Sequence, residues 1–245
     1  MEDDITRSFR YAAQFYLKRL ALIVIFSIPF LASVLILWAV AAPTYGALGG
    51  IFLRINSLPE LSLIDIAIIA AGYLIAMFVI ADTIVNINII VRSKRTLTSI
   101  RHEVLKAMGS YAMRIFYIYT LALLVMLVAQ LILYDNPLQP WIYPLVSLAL
   151  YSLLFFVPPA VVIDNSDTPT AIRRSAAMCL KNPHMILIWA AGALLALSLV
   201  KALSDIVFAT PFSGYFVLLV NSLIVLPFLT VLQTQMYMEK YPLAR

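Results

Sequence analysis

Asp82 and Asn86 stand four residues apart inside a long apolar run, so on a helix they share one face. An ionisable residue near the centre of a bilayer costs about 2.5–3.5 kcal/mol on insertion scales, which makes it a functional candidate by default. A carboxylate and an amide at this spacing can coordinate a cation or a proton. They can equally hydrogen-bond to neighbouring helices or lie among headgroups on a projecting helix end. Gln130 and Asn221, in other apolar runs, join them as a candidate polar intramembrane site. Together with Gln233 and Gln235, these two can also simply bridge helices, at about 0.6 kcal/mol each on average. Asp65 reads as an interfacial carboxylate. Lys201 and Asp205, again four apart, read as a local ion pair whose Lys reaches outward along the helix.

Other chemistry finds few residues. The chain has no HExxH, GxSxG, Gly-rich phosphate loop, paired-Asp phosphotransferase motif or charged run of a voltage-sensing kind. One cysteine, Cys179, excludes an internal disulfide. With no CxxC and no Cys/His cluster, zinc and redox readings have no support, and His102 and His184 lie far apart. No catalytic residue, cofactor or metal is expected.

The elements that must position these groups are membrane spans. Of 245 residues, 63% are hydrophobic and 12% charged, against roughly 45–50% and about 25% in soluble domains. The apolar residues fall in runs long enough to cross the hydrocarbon: Leu20–Ala42, Leu61–Val91, Ile115–Tyr134, Trp141–Ile163, Met185–Phe208 and Phe212–Tyr237. The chain opens Met-Glu-Asp-Asp rather than with a basic region, and the first run is too long for a signal-peptide core, so it reads as a retained span. The second would extend about 46 Å as a helix against a core of about 30 Å, so its end bearing Asp82, Asn86, Asn88 and Arg92 is expected to protrude. All Lys and Arg except Arg54 and Lys201 fall in the second and fourth connections, Arg92–Arg114 and Asp164–His184, or in the two tails. That bias predicts six spans in the cell membrane with both termini cytoplasmic. Trp38, Tyr45, Tyr134, Trp141 and Tyr143 suit an outer aromatic belt. The net charge of +5 gathers at one membrane face, which points to anionic lipid headgroups rather than nucleic acid.

The basic segments repeat. Ser8-Phe9-Arg10, Ser99-Ile100-Arg101 and Ala171-Ile172-Arg173 align without gaps, and Thr96–His102 resembles Thr168–Arg174. Apolar stripes follow in one phase: Phe9, Ala13, Tyr16, Leu17, Leu20; Ile100, Val104, Ala107, Met108, Tyr111; and Ile172, Ala176, Cys179, Leu180, Pro183. Thr168 reads as a helix cap with Pro169 in the first turn. The expected fold is therefore all-α: one membrane domain, 1–245, of three units (1–91, 92–163 and 164–245), each an interfacial amphipathic helix followed by a hairpin of spans. Arg10, Arg101, His102, Arg173 and Arg174 are candidate headgroup contacts. Pro29, Pro158, Pro159 and Pro227 interrupt spans, either as structural kinks or as a broken-helix site. Ala190, Ala191, Gly192, Ala193 and Ala196 suit close helix contact.

The stretch Phe155-Phe156-Val157-Pro158-Pro159-Ala160-Val161-Val162-Ile163-Asp164, followed by Pro169–Ser175 and Leu180-Lys181-Asn182-Pro183, resembles a loose group of polytopic families. These include the membrane domain found beside some glycerophosphoryl diester phosphodiesterases and related six-span prokaryotic proteins. The shared pattern is an apolar span ending in an acidic residue, an Ala-x-x-x-Ser helix and a short polar lead into the next span. The resemblance implies a fold and not phosphodiesterase activity, since no such catalytic domain is present.

The sequence thus points first to a non-enzymatic polytopic protein, a scaffold or subunit of a membrane complex that touches anionic lipid and either other subunits or its own copies. A small-solute or ion transporter or channel is the second reading, resting on the interrupted spans and Asp82/Asn86. A lipid-acting enzyme is the third; it would need a site near His102, Arg173 and Asp164.

Overall fold

The computed structural model describes the chain at residues 2–40, 45–48, 51–54, 63–96, 100–134, 136–209 and 212–240, with side chains at 6–36, 63–64, 66–93, 109–134, 136–209 and 212–239. Helices dominate: α1 (Glu2–Lys18), α2 (Leu20–Val40), α3 (Leu63–Thr96), α4 (Ile100–Ile132), α5 (Gln139–Leu154), α6 (Val157–Ile163), α7 (Thr168–Lys181), α8 (Pro183–Val207), α9 (Phe212–Val220) and α10 (Leu226–Lys240), with one widened π turn at Asn221–Val225. The all-α expectation has one small exception. Tyr45–Leu48 pairs antiparallel with Ile51–Arg54, Leu48 opposite Ile51. The intervening sequence is Gly49-Gly50, a pair that favours two-residue hairpin connections.

Among the described residues, five stretches are long and apolar enough to cross a membrane: Ile66–Ser93, Gly109–Ile132, Gln139–Ile163, Pro183–Val207 and Phe212–Glu239. α1 and α2 meet at 92°, and that bent pair makes a sixth when counted as one. A near-right angle between a polar helix and an apolar one is the geometry expected where a chain leaves the headgroup plane and turns into the hydrocarbon.

Helix α3 is the axis of the bundle, packed against α2, α4, α6 and α10. The core is concentrated at one end. Ile23, Ile87, Ile89, Ile90, Ile115, Phe156, Met178, Met185, Met236 and Tyr237 are all fully enclosed there, and Arg92, Arg114 and Arg174 lie at the same end. Toward the opposite end the described side chains turn outward, among them Leu63, Ile64, Leu131, Ile132, Trp141, Ile206 and Val207. Apolar exposure of that kind suits contact with acyl chains, where no hydrophobic force drives helices together.

Three expectations change. First, the polar end of the second run, expected to protrude, does not stand alone but is packed among other helices: Thr83 and Val85–Val91 are buried inside the protein. At 34 and 33 residues, α3 and α4 are both longer than a span requires, so each shields the other. Second, the segment Thr96–Tyr111 forms no amphipathic helix of its own, because α4 runs without a break from Ile100 to Ile132. Nothing in its sequence stops the helix: no proline falls between Ile100 and Ile132.

Third, the stripes on α1 and α7 are rotated by one residue. The enclosed positions are Ser8, Ala12, Phe15 and Tyr16 on α1 and Ala171, Ser175, Met178 and Cys179 on α7. Phe9 (53% exposed), Leu17 (72%) and Leu180 (75%) face outward. At a membrane surface an apolar side chain has two favourable environments, lipid and protein. Small residues such as Ser8, Ala12, Ala171 and Ser175 take the protein side because they let helices approach closely. The residue at the N-cap of α7 is Asp167 rather than Thr168, which is already the first helical residue, with Pro169 in the first turn.

Candidate functional site

The structure brings together one pair of the predicted intramembrane residues. The Asn86 amide Nδ2 donates to Asp82 Oδ2 at 2.9 Å. Asp82 Oδ1 and Asn86 Oδ1 are both sealed from solvent and accept no hydrogen bond. Asn86 itself is 5% exposed. Asn221 opens the π turn, and its Oδ1 is likewise sealed and unpartnered. Gln130 stands on an exposed position of α4 near its C-terminal end, away from the enclosed half of the bundle that holds Asn86. The carboxylate–amide pair is thus a local unit on α3. Two residues further on, Asn88 bridges helices: it accepts from Thr234 Oγ1 on α10 at 2.6 Å and donates to Ile84 O at 2.8 Å. Asp65 lies in the first turn of α3, with its side chain outside the described set. Lys201 and Asp205 form the expected ion pair, with Ser213 also donating to Asp205.

A second constellation closes the Arg-rich end. α6 stops at Ile163, and Asp164, at its C-cap, accepts from Arg174 Nη1 at 2.7 Å and from Tyr237 Oη at 2.6 Å. Asn165 adopts a left-handed φ of +50°, a conformation that Asn tolerates better than most residues. The turn carries the chain into α7 and encloses Ser166. Arg114 Nη1 donates to the Ser166 carbonyl at 3.0 Å, and Arg174 Nη1 to its hydroxyl at 2.9 Å. Arg92 Nη1 donates to Val162 O at 3.0 Å, one of the last carbonyls of α6, and reaches Tyr111 Oη at 3.4 Å. Guanidinium groups at a helix C-terminus satisfy orphan carbonyls and meet the negative end of the helix dipole. Nearby Asp167 is held below the usual carboxylate range, first by its bond with the Thr170 side chain.

Of the headgroup candidates, Arg10 and Arg173 are exposed, whereas Arg174, its side chain 37% exposed, is bonded to Asp164 and Ser166. The side chains of Arg101 and His102 lie outside the described residues. Asp164, the acid an interfacial enzyme would use, is occupied by Arg174 and Tyr237.

A third arrangement was not anticipated from sequence: the breaks at Pro159 and Pro227 are plugged. A proline removes the donor that would serve the carbonyl four residues earlier, and in a membrane that carbonyl needs another partner. Pro159 frees Phe155 O, which accepts from Gln233 Nε2 on α10. The break between α5 and α6 is held further from α7. Ser175 Oγ accepts the Phe156 N–H at 2.9 Å and donates to Leu153 O at 2.7 Å, and Cys179 Sγ donates to Ser152 O at 2.8 Å. Burial pushes the Cys179 thiol up from its ordinary value. Pro227 frees Leu223 O, and Tyr16 Oη on α1 points there, at 3.5 Å from Leu223 O and 3.1 Å from Ile224 O. The rings of Phe9 and Tyr16 pack edge-on to Phe228, at 5.7 and 5.6 Å. The prolines marked which carbonyls lack donors; nothing in the linear sequence marked Tyr16, Ser175, Cys179 or Gln233 as the donors.

Comparison of this chain with protein-family models, with curated proteins and with solved structures finds no match.

Proposed function

We propose that this chain is a non-catalytic polytopic membrane subunit whose interior is a locked scaffold and whose outer faces meet lipid and neighbouring subunits. One observation carries the reading. Beyond Met185 and Ala193, helix α8 gives little to the chain's own core: 6% of its apolar stretch is buried, against 39% for the α9–α10 span and 50% for α5–α6. It nevertheless carries small residues at close-packing spacing. Gly192 and Ala196 are four apart, and a Cβ added at Gly192 meets nothing within 4 Å. Small-xxx-small spacing lets a second helix approach closely in lipid. The interior, by contrast, is joined by internal polar contacts at the breaks and at Asp164, which supports a rigid body rather than a moving one.

The same reading keeps the three-unit repeat, with the leading helix of the second unit merged into α4, the six crossings with both termini cytoplasmic, and contact of the basic face with anionic headgroups through Arg10 and Arg173. Two findings support the repeat. The enclosed faces of α1 and α7 match position for position in the gapless alignment, Ser8/Ala171, Ala12/Ser175, Phe15/Met178 and Tyr16/Cys179. Each of these helices also plugs an irregular second span of another unit. The resemblance carried by residues 155–183 belongs to this reading as a likeness of fold.

The test is Gly192→Leu in the full-length chain. Because space surrounds Gly192, the variant should keep the parental unfolding stability in detergent. It should lose co-purification with its membrane neighbours, or with a differently tagged copy of itself, by tenfold or more. A parental chain that always purifies alone from native membranes, with Gly192→Leu behaving identically, would refute the subunit reading.

A further inference from the structure

We propose that the partly buried Asp82 and the enclosed Asn86 form a binding site for one monovalent cation, a hydron or an alkali-metal ion. Asp82 lies about 24 Å of helix from Ile66 and about 16 Å from Ser93 at 1.5 Å per residue, so both ends of the span are remote from it. A bare carboxylate taken out of water is costly unless paired or neutralised. Among the described residues the ion pairs are Arg174–Asp164 and Lys201–Asp205, and neither involves Asp82.

The candidates for neutralisation are all committed elsewhere or distant. The elements packed against α3 are α2, α4, α6 and α10. Helix α2 carries no ionisable residue, only polar groups such as Ser27 and Ser33, each donating to a backbone carbonyl of its own helix. On α4, Tyr117 and Tyr119 are phenols, Arg114 is bonded to Ser166, and Arg101, His102, Glu103 and Lys106 belong to its N-terminal turns at the Arg-rich end. Helix α6 carries no charge, and Asp164 beyond it is held by Arg174 and Tyr237. On α10, Tyr237 donates to Asp164, and Glu239 and Lys240 lie in the last turn. On α3 itself, Arg92 donates to Val162 O, Tyr73 lies more than two turns away toward the other end, and Asp65, Lys94 and Arg95 lie at its two ends.

Two sealed oxygens, one from a carboxyl and one from an amide, thus sit on a bonded pair of side chains and receive no hydrogen bond. The other two polar atoms of the pair are already joined by the Nδ2–Oδ2 bond. One positive charge bound beside the pair answers the unserved oxygens and the carboxylate charge together. A divalent ion calls for more carboxylates than one. Among the described residues, no group of three or more His, Cys, Asp or Glu stands where it could hold a metal. The site goes beyond the subunit reading and is independent of it.

The experiment uses the full-length chain in phosphatidylcholine–phosphatidylglycerol nanodiscs, with two arms. In the first, NaCl replaces choline chloride at fixed pH while thermal unfolding is followed. In the second, pH is varied in choline chloride while the infrared carbonyl stretch of protonated carboxyl groups is recorded. A saturable sodium response identifies the alkali-metal ion. A protonation band without a sodium response identifies the hydron. Sodium that displaces the band's titration identifies competition for the same oxygens. Each response must vanish in Asp82→Asn, which keeps shape and removes charge, and must weaken roughly tenfold in Asn86→Ala, which loses one charge-assisted partner. If neither arm responds, or if Asp82→Asn leaves the response intact, the site is wrong. The Gly192→Leu association assay reads none of these signals, so either proposal can fail alone.

Discussion

Ser175→Ala tests whether α7 holds the broken span together. Ser175 is fully enclosed, and its hydroxyl serves two backbone groups at once, the Phe156 N–H and the Leu153 carbonyl, at 2.9 and 2.7 Å. An ordinary polar contact between membrane helices is worth about 0.6 kcal/mol. Here the loss is different in kind, because both backbone partners stay buried and unserved. An orphaned buried donor or acceptor costs about 1–3 kcal/mol, so the pair costs about 2–6 kcal/mol once the small change in packing is ignored. The two accounts differ severalfold, which a reversible unfolding titration in mixed micelles resolves. The control is Ser198→Ala, at an exposed position of α8, expected to stay within about 0.5 kcal/mol of the parent. A Ser175→Ala loss no larger than about 0.6 kcal/mol would refute the idea that the hydroxyl plugs the break.

Three further outcomes are expected. Tyr237→Phe and Arg174→Ala should be non-additive, with a coupling of about 0.5–1.5 kcal/mol in a double-mutant cycle, because both donate to the same half-enclosed Asp164 oxygen; strict additivity would argue against a shared latch. The Cys179 thiol, raised by burial and bonded to Ser152 O, should resist maleimide at neutral pH in the folded chain and react on unfolding. Because its folded value lies above the unfolded one of about 8.5, its contribution is complete below that pH and declines as pH rises through the folded value; Cys179→Ala should flatten the alkaline limb. Asp167, lowered chiefly by Thr170, acts in the opposite sense: its contribution is complete above about pH 3.9 and is lost as pH falls through the lower folded value. Thr170→Val should move the Asp167 titration, followed by NMR, back toward the ordinary range.

The sequence alone carried the spans. Runs such as Pro183–Val207 are legible because their length and composition match the hydrocarbon whatever they pack against. It also carried the 92° turn into the first span, since basic-amphipathic and uniformly apolar stretches belong to different layers, and the Asp82–Asn86 and Lys201–Asp205 pairs, because four residues return a helix to the same face. Tertiary structure decided everything that depends on which neighbour is near. Phe9 and Leu17 turned outward, and Ser8 and Ala12 inward, because lipid and protein compete for apolar side chains and periodicity cannot tell the two apart. Arg174 became a latch while adjacent Arg173 stayed exposed, since one residue along a helix is a turn of about 100°. The donors at Phe155, Leu153 and Ile224 come from Gln233, Ser175 and Tyr16, separated from them by 78, 22 and 208 residues. Such pairings exist only once the bundle has closed, because no local rule links a freed carbonyl to a side chain so distant along the chain.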